Sequence, residues 1–299
     1  MSVKDEAQLE DFPSLFSLAG KTAVVTGGSR GLGLHAASAL LQAGVDRVFI
    51  SSRKADACAE AVQALNSLPR IRGRAEAIPA DLSTASGVRK LADEVASRSG
   101  GKVDILLANA GASWGAALDR HPDEAVAKVL DLNVRSVFNT VRDFLPLLEA
   151  AAAAAAAAAD GRIGEPSRVI ITASVAGLGI GSLGQNGNYG YSASKAAVIH
   201  LGRNLAVELG PRRITVNSIC PGFFPTKMSN GLLKLSGGAD RHARENPMRR
   251  LGRPEDIAGA VVYLASRAGS HVNGEAIAID GGAVWSRGEM LRGGEEPKL

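Results

Sequence analysis

The stretch Thr26-Gly27-Gly28-Ser29-Arg30-Gly31-Leu32-Gly33 constrains this 299-residue chain more than any other. It follows a short apolar run, Lys21 to Thr26, and opens an alanine- and leucine-rich run, Gly33 to Ala43, that stops at Gly44. The first run reads as a strand and the second as a helix closed by glycine. Glycines between a strand and a helix let the backbone turn sharply. They also leave the first N–H groups of the helix, at the positive end of its dipole, open to a pyrophosphate. Glycine-rich turns are common, so the strand-loop-helix setting is what gives the pattern meaning.

The same alternation runs on through the chain. Strands are predicted over Asp46 to Ser51, Ala75 to Ala80, Val103 to Ala108, Arg168 to Thr172, Ile214 to Ile219 and Ala276 to Asp280. Helices are predicted over Ala55 to Leu65, Ser86 to Ser99, Ser192 to Leu209 and Pro254 to Leu264, and Asp123 to Leu148 reads as one long helix or two. Strands alternating with helices, joined by right-handed crossovers, make an α/β fold. The expectation is a single doubly wound, Rossmann-type domain: a seven-stranded parallel sheet flanked by helices on both faces. It would span residues 17–285, with a flexible N-terminal tail over 1–16 and a C-terminal tail over 286–299. Ala150 to Ala159 lies in an alanine-rich surface insertion, residues 150–165. Alanine is the best helix former, so the preceding helix should extend into solvent and fray at Asp160-Gly161. Residues 223–250, with Gly231, Gly237 and Gly238, read as a lid over a substrate.

Composition narrows the partners. The chain is 45% hydrophobic and 21% charged with a formal net charge of +4, and no block of five or six like charges appears, so no nucleic-acid surface is expected. Cys58 and Cys220 lie far apart in no metal-ligand spacing and read as small packing residues. No apolar run approaches the roughly 20 residues that span a bilayer. The first residues include Asp5, Glu6, Glu10 and Asp11, unlike a presequence, so the expected location is cytoplasmic.

A dinucleotide site needs more than its loop. About 20 residues past the loop an NAD site presents an acid to the ribose hydroxyls. Here the second strand ends in Ser51-Ser52-Arg53-Lys54, and Arg30 lies in the first loop on the same side. Basic residues in place of the acid favour a 2′-phosphate, hence NADP (NADPH). Arg53 and Lys54 can also be merely solvated, and Asp56 is close by. Asp81-Leu82 after the third strand can meet an adenine edge, although Asp81 also suits a helix cap. Asn109-Ala110-Gly111 ends the fourth strand where an open sheet of this kind binds ligands, and Gly111 lets the chain pass a cofactor closely.

Tyr191 and Lys195 stand one helical turn apart and share a face. A tyrosine with a pKa near 10 exchanges protons sluggishly at neutral pH, and a nearby ammonium favours phenolate. The pair therefore reads as a general acid or base with its tuning cation. Ser174 ends the fifth strand and can donate a hydrogen bond to a carbonyl oxygen. Asn133, in the long helix, can hold a water that relays protons to Lys195. Singly each residue has a bland alternative: packing, cap, buried amide, solvated lysine.

Taken together with Pro221-Gly222 and Ile279-Asp280-Gly281-Gly282, these residues resemble the short-chain dehydrogenase/reductase superfamily over roughly Ser17 to Gly282. The resemblance implies that Tyr191 protonates a ketone, that Lys195 tunes it and binds the nicotinamide ribose, that Ser174 orients the substrate oxygen and that Asn133 holds the relay water. It also implies that Thr226 contacts the nicotinamide carboxamide with Phe224 beside it. The cofactor set is then Gly27, Ser29, Arg30, Gly31, Leu32, Gly33, Ser52, Arg53, Lys54, Asp81, Leu82, Asn109, Ala110, Gly111, Tyr191, Lys195, Pro221, Gly222, Phe224 and Thr226, with no metal. Gly111 to Leu118 and Phe16 to Gly20 are similar to the 3-oxoacyl-[acyl-carrier-protein] reductase branch associated with rhamnolipid biosynthesis. This implies a 3-oxoacyl thioester, carried by coenzyme A or acyl carrier protein, as substrate. Another carbonyl or alcohol, or NADPH binding without catalysis, are the alternatives. Lys227, Lys234, Arg241, Arg244, Arg249 and Arg250 in the lid can attract such a carrier's phosphates or simply be solvated, and Leu232, Leu233 and Leu235 can face an acyl chain. The resemblance further implies a homotetramer or homodimer built on the Asn133 and Ser192 helices. The interval from Ser174 to Tyr191, through Gly179 to Asn188, is a few residues longer than is usual in the superfamily.

Overall fold

Seven strands form one sheet: β1 (Thr22–Thr26), β2 (Arg47–Ser51), β3 (Arg74–Ala77), β4 (Ile105–Ala108), β5 (Ser167–Thr172), β6 (Ile214–Pro221) and β7 (Ala276–Ile279). Their order is β3-β2-β1-β4-β5-β6-β7 and every pair is parallel. This is a computed structural model, and it describes residues 3–7, 9, 11–159, 164–227 and 238–286. The chain winds outward from β1 to β3, returns to the centre at β4 and winds the other way. The order therefore reverses between β1 and β4, where sheets of this kind open a crevice beyond the strand C-termini.

The strands read as unbroken apolar runs because both faces are covered. Side chains still alternate. Val24, Leu106, Val169 and Val216 enter one core, and Ala23, Val25, Ile105, Leu107 and Ile170 enter the other. The first core is closed by α4 (Ala85–Ser99), α6 (Ser136–Ala158) and α7 (Tyr189–Leu209). The second is closed by α2 (Gly31–Gln42), α3 (Ala55–Asn66) and α9 (Pro254–Ala265). Fully buried side chains such as Phe144 and Leu40 each contribute about 1.5–3 kcal/mol. The predicted elements are all present, with ends shifted by a few residues.

The Asp123 to Leu148 run is two helices, α5 (Asp123–Leu130) and α6, joined by a π-turn over Asp131–Arg135 that holds Asn133. Within the lid, α8 (Gly238–Glu245) was not foreseen, and its His242 ring lies 4.3 Å from that of Phe223. Residues 228–237, with Leu232, Leu233, Lys234 and Leu235, lie outside the described residues.

Two expectations about the edges need correction. The N-terminal tail is not loose throughout. Beyond the short α1 (Val3–Ala7), Asp11 accepts a hydrogen bond from Arg267 through its carbonyl at 2.6 Å and Ala268 N–H donates to the Leu15 carbonyl, which docks residues 11–15 beside the end of α9. The alanine tract does extend α6 to Ala158, but Ala151 and Ala152 are buried in it. The returning chain also packs so closely that a Cβ on Gly164 would lie 2.5 Å from Ala156 Cα. Asp160-Gly161 and the tail from residue 287 onward lie outside the described residues. Among the described residues no helix is long and apolar enough to cross a membrane.

Candidate active site

The phosphate loop is assembled against the end of β4. Thr26 Oγ1 accepts hydrogen bonds from the N–H groups of Asn109 (2.9 Å) and Ala110 (3.0 Å). Asn109 Nδ2 donates to the carbonyls of Thr26 (3.0 Å) and Gly27 (3.3 Å). Gly27 has φ +65°, a conformation that glycine adopts without strain. A Cβ on Gly33 would sit 2.4 Å from the Gly27 carbonyl oxygen and 2.5 Å from Asn109 Nδ2. Gly33→Ala is therefore expected to cost about 1–3 kcal/mol of stability through overpacking and to weaken NADPH binding, as thermal melting and a fluorescence titration would report.

Helix α2 begins behind this loop at Gly31, with Arg30 as the N-cap residue and no side chain capping it. Its first N–H groups are left for a ligand. Ser52 Oγ donates to Ser29 Oγ at 2.9 Å, joining the loop to the end of β2. Arg30, Arg53 and Lys54 are exposed around that junction. Asp81 accepts bonds from Ser83 N–H (3.1 Å) and Ser83 Oγ (2.8 Å). These bonds, with a smaller contribution from the Arg53 charge, hold its carboxyl below the usual range. Thr226 leans over the loop, its Cγ2 3.5 Å from where a Gly31 Cβ would be. Pro221 is the buried last residue of β6, and Gly222 N–H donates to the Ile279 carbonyl. Ala110 and Leu32 are partly buried at the same edge.

At three of the expected cofactor contacts the side chain is turned into the protein. Asn109 spends its amide nitrogen on the loop, so it shapes the site from behind. The Leu82 side chain is buried in the first core, which leaves only its backbone for a ligand. Phe224 is buried in the second core, where a Cβ on Gly252 would collide with its ring at 2.4 Å, so its ring is not presented beside Thr226.

The reaction centre forms where β5, α7 and the π-turn meet. Ser174 follows β5 and caps a short turn, its Oγ accepting from Ala176 N–H at 3.2 Å. The same side chain is hydrogen-bonded to the Tyr191 phenol. Lys195 is buried, donates from Nζ to the Thr172 carbonyl at 2.7 Å and places Nζ 5.6 Å from the Tyr191 ring centroid. Burial lowers the Lys195 pKa to about 8. The Tyr191 phenol moves the other way from the sequence expectation: burial pushes it up, and the Ser174 bond offsets only part of that. Desolvation of the phenolate is the largest cause, and the neighbouring Cys220 adds to the rise.

Asn133 lies between the loop after β4 and α7. Its Oδ1 accepts from Ala112 N–H (2.8 Å), and its Nδ2 donates to the Ala112 carbonyl (2.9 Å) and to Ser194 Oγ (2.9 Å). Both ends of the amide are engaged by protein, so the side chain clamps the loop after β4 to α7 and keeps one lone pair of Oδ1 over for a water. Gly111 fits under this clamp, where a Cβ would lie 3.1 Å from Asn133 Oδ1 and 3.7 Å from Lys195 Nζ. Ser194, which the sequence reading passed over, completes the clamp by donating to the Tyr191 carbonyl at 2.7 Å. Its place directly before Lys195 was the only available signal. Cys220 is a buried free thiol, as expected, but it also lies beside the centre, bonded by the Ser174 N–H, and burial pushes its pKa up to about 11.

The chain matches, over residues 27–284, the family described as Enoyl-(Acyl carrier protein) reductase. It belongs to the short-chain dehydrogenase/reductase family. It is an oxidoreductase of that family. It is 44% identical over 267 residues to the rhamnolipids biosynthesis 3-oxoacyl-[acyl-carrier-protein] reductase of Pseudomonas aeruginosa, covering 89% of this chain and 97% of that one. A 3-oxoacyl-[acyl-carrier-protein] reductase FabG of Staphylococcus epidermidis is 32% identical over 265 residues, covering 88% and 98%. The solved Pseudomonas aeruginosa RhlG/NADP active-site complex superposes with a TM-score of 0.80 at 44% identity, covering 91% of this chain and 99% of that one. The interval that is long for a short-chain dehydrogenase/reductase is ordered here: Asn188 Oδ1 accepts from Ser182 N–H at 2.9 Å, and Ala116 N–H donates to the Gly187 carbonyl. Tyr189 in this interval stacks edge-on against His121.

Proposed function

We propose that the protein is an NADPH-dependent reductase that converts the ketone of a 3-oxoacyl thioester to a secondary alcohol. The hydrogen-bonded pair Ser174 and Tyr191, with Lys195 under the phenol ring at the mouth of the nucleotide crevice, carries the reading. The names of the relatives with which this chain shares nearly its whole length support the thioester. Arg30, Arg53 and Lys54, exposed around the uncapped start of α2, fit a 2′-phosphate and support NADPH over NADH.

The chemistry that NADPH supplies when bound is a hydride for the carbonyl carbon. The residues do the rest. The Ser174 hydroxyl and the Tyr191 phenol hold the carbonyl oxygen, where charge develops. Tyr191 gives that oxygen its proton, and its raised pKa keeps the phenol protonated at neutral pH. Lys195 supplies positive charge beneath the ring, and the Asn133–Ser194 clamp keeps α7 and the loop after β4 in register.

A panel of 3-oxoacyl thioesters, diketones, polyols, steroids and quinones, run with NADPH and NADH, tests the reading. Reduction of the thioesters with NADPH preferred is the expected result. Tight NADPH binding with no turnover of any ketone would sink it and leave a cofactor-binding protein. In the variant Arg30→Ala/Arg53→Ala, KM for NADPH is expected to rise about 10- to 100-fold with little change for NADH, because charge-assisted bonds to a phosphate are lost. A cytoplasmic location belongs to the same reading. So does assembly into a homodimer or homotetramer through α6 and α7, whose Phe138 and Val207 are exposed; sedimentation tests the assembly.

A further inference from the structure

An uncharged apolar arc borders the reaction centre. Trp114, Ile180, Leu183, Met248 and Trp285 are 48–85% exposed and include both tryptophans of the chain. Isolated apolar side chains on a surface need no explanation, but several on one continuous band do. Here backbone contacts make the band continuous. The loop carrying Trp114 is held to Asn133 at Ala112 and to the Gly187 carbonyl at Ala116. The next segment, residues 179–188, crosses the start of α7, where a Cβ on Gly181 would lie 3.1 Å from Ser192 Cβ, one residue from Tyr191. Gly179 packs on Val284, its would-be Cβ 3.1 Å from Cγ2, which brings in Trp285. Gly281 packs in the same way on Met248, and Asn246 Nδ2 donates to the Asp280 carbonyl at 2.7 Å.

Charge decides the occupant. Residues 111–118, 179–188 and 246–248 contain no charged side chain. The one carboxylate in the final turn, Asp280, faces its own backbone, accepting from Gly282 N–H (2.9 Å) and Val284 N–H (2.7 Å). An acidic carrier protein would need cations here. The nearest cations directly follow Met248 and are engaged within the protein: Arg249 donates to the Arg244 carbonyl and Arg250 pairs with Asp256, while Arg241 on α8 pairs with Glu245. A flexible alkyl chain needs only apolar surface that starts at the carbonyl-binding pair, and this arc starts there.

We propose that the arc is the track for the alkyl tail of the acyl substrate, so that Trp114, Ile180, Leu183 and Trp285 set its chain-length preference. The inference rests on the acyl-thioester reading above, but its first test does not require turnover. Protein saturated with NADP⁺ is titrated with saturated acyl-CoAs from butyryl to decanoyl, which have no ketone to reduce, while tryptophan emission is followed. Affinity is expected to rise about twofold to fourfold per methylene, roughly 60- to 4,000-fold across the series. Ile180→Ser and Leu183→Ser should flatten that slope. Trp285→Ala should lower the ratio of kcat/KM for 3-oxodecanoyl over 3-oxobutyryl thioester. A flat slope in the unaltered protein, or the same slope in both serine variants, overturns the proposal. So does sedimentation showing that Ile180→Ser breaks up an oligomer, because a second copy would then cover the arc. A steep slope without reduction of any thioester would leave the track standing and sink the proposed activity.

Discussion

Tyr191→Phe is expected to lower the rate of ketone reduction by about 10²- to 10⁴-fold, the usual range for a lost general acid. NADPH affinity should stay within a few fold of the unaltered protein. The physical reason lies in what the substitution keeps. The ring remains, still within reach of the Lys195 ammonium at 5.6 Å from its centroid. Only the hydroxyl goes, and with it the bond to Ser174. Losing that bond should cost about 1 kcal/mol of stability, too little to unfold the protein. Steady-state rates followed by NADPH absorbance, set beside a binding titration, check the prediction. A variant with full activity would remove Tyr191 from the mechanism.

Lys195→Met is expected to abolish most activity and yet raise the melting temperature at pH 7. Lys195 is buried with a pKa of about 8, against 10.5 for an exposed lysine. The sign follows from proton counting. Between pH 8 and 10.5 the unfolded lysine holds a proton that the folded one has released, so stability rises with pH across that window. Below pH 8 both states are protonated and the folded protein carries the whole penalty, about 3 kcal/mol at 1.36 kcal/mol per pH unit. Methionine removes the penalty and forfeits the bond to the Thr172 carbonyl, leaving a net gain of about 1–2 kcal/mol at pH 7. The gain should shrink as the pH approaches 10. Melting curves of both proteins from pH 6 to 10 test this, and a variant that melts below the unaltered protein at pH 7 would overturn it. The lysine is then a group kept for catalysis at the expense of stability.

Much of the fold was legible because its signals are local. The apolar run Ile105–Ala108 becomes the central strand β4, and Gly44, with φ +105°, follows α2 where the sequence placed a stop. The candidate site was legible where spacing within one element decides it. Tyr191 and Lys195 meet because four residues make about one helical turn. Helix α8 was hidden because its sequence, with a glycine at its start and charged residues throughout, carries no apolar stripe. The docking of Asp11 was hidden because its partner, Arg267, is 256 residues away.

The side-chain placements that the sequence did not show share a cause. Phe224 and Leu82 sit in the expected segments, but which way each ring or branch turns depends on the core it can enter. Asn133 was placed correctly in its helix. Hidden from the sequence was that it sits in a π-turn and that the backbone of Ala112, 21 residues upstream, bonds both ends of its amide.

From its sequence alone this protein was bound to alternate strands and helices, to carry a glycine loop open to phosphate and to set a phenol one turn from an amine. Periodicity, backbone sterics and helical pitch act over a few neighbouring residues and need nothing else. Only the tertiary structure decided that the amine is half-way to losing its proton at about pH 8, that the phenol holds its proton more tightly, and that Trp114, Ile180, Leu183, Met248 and Trp285 stay exposed. Those properties depend on how much water is excluded and by which distant segments, and the exclusion exists only once the sheet has closed between its two layers of helices.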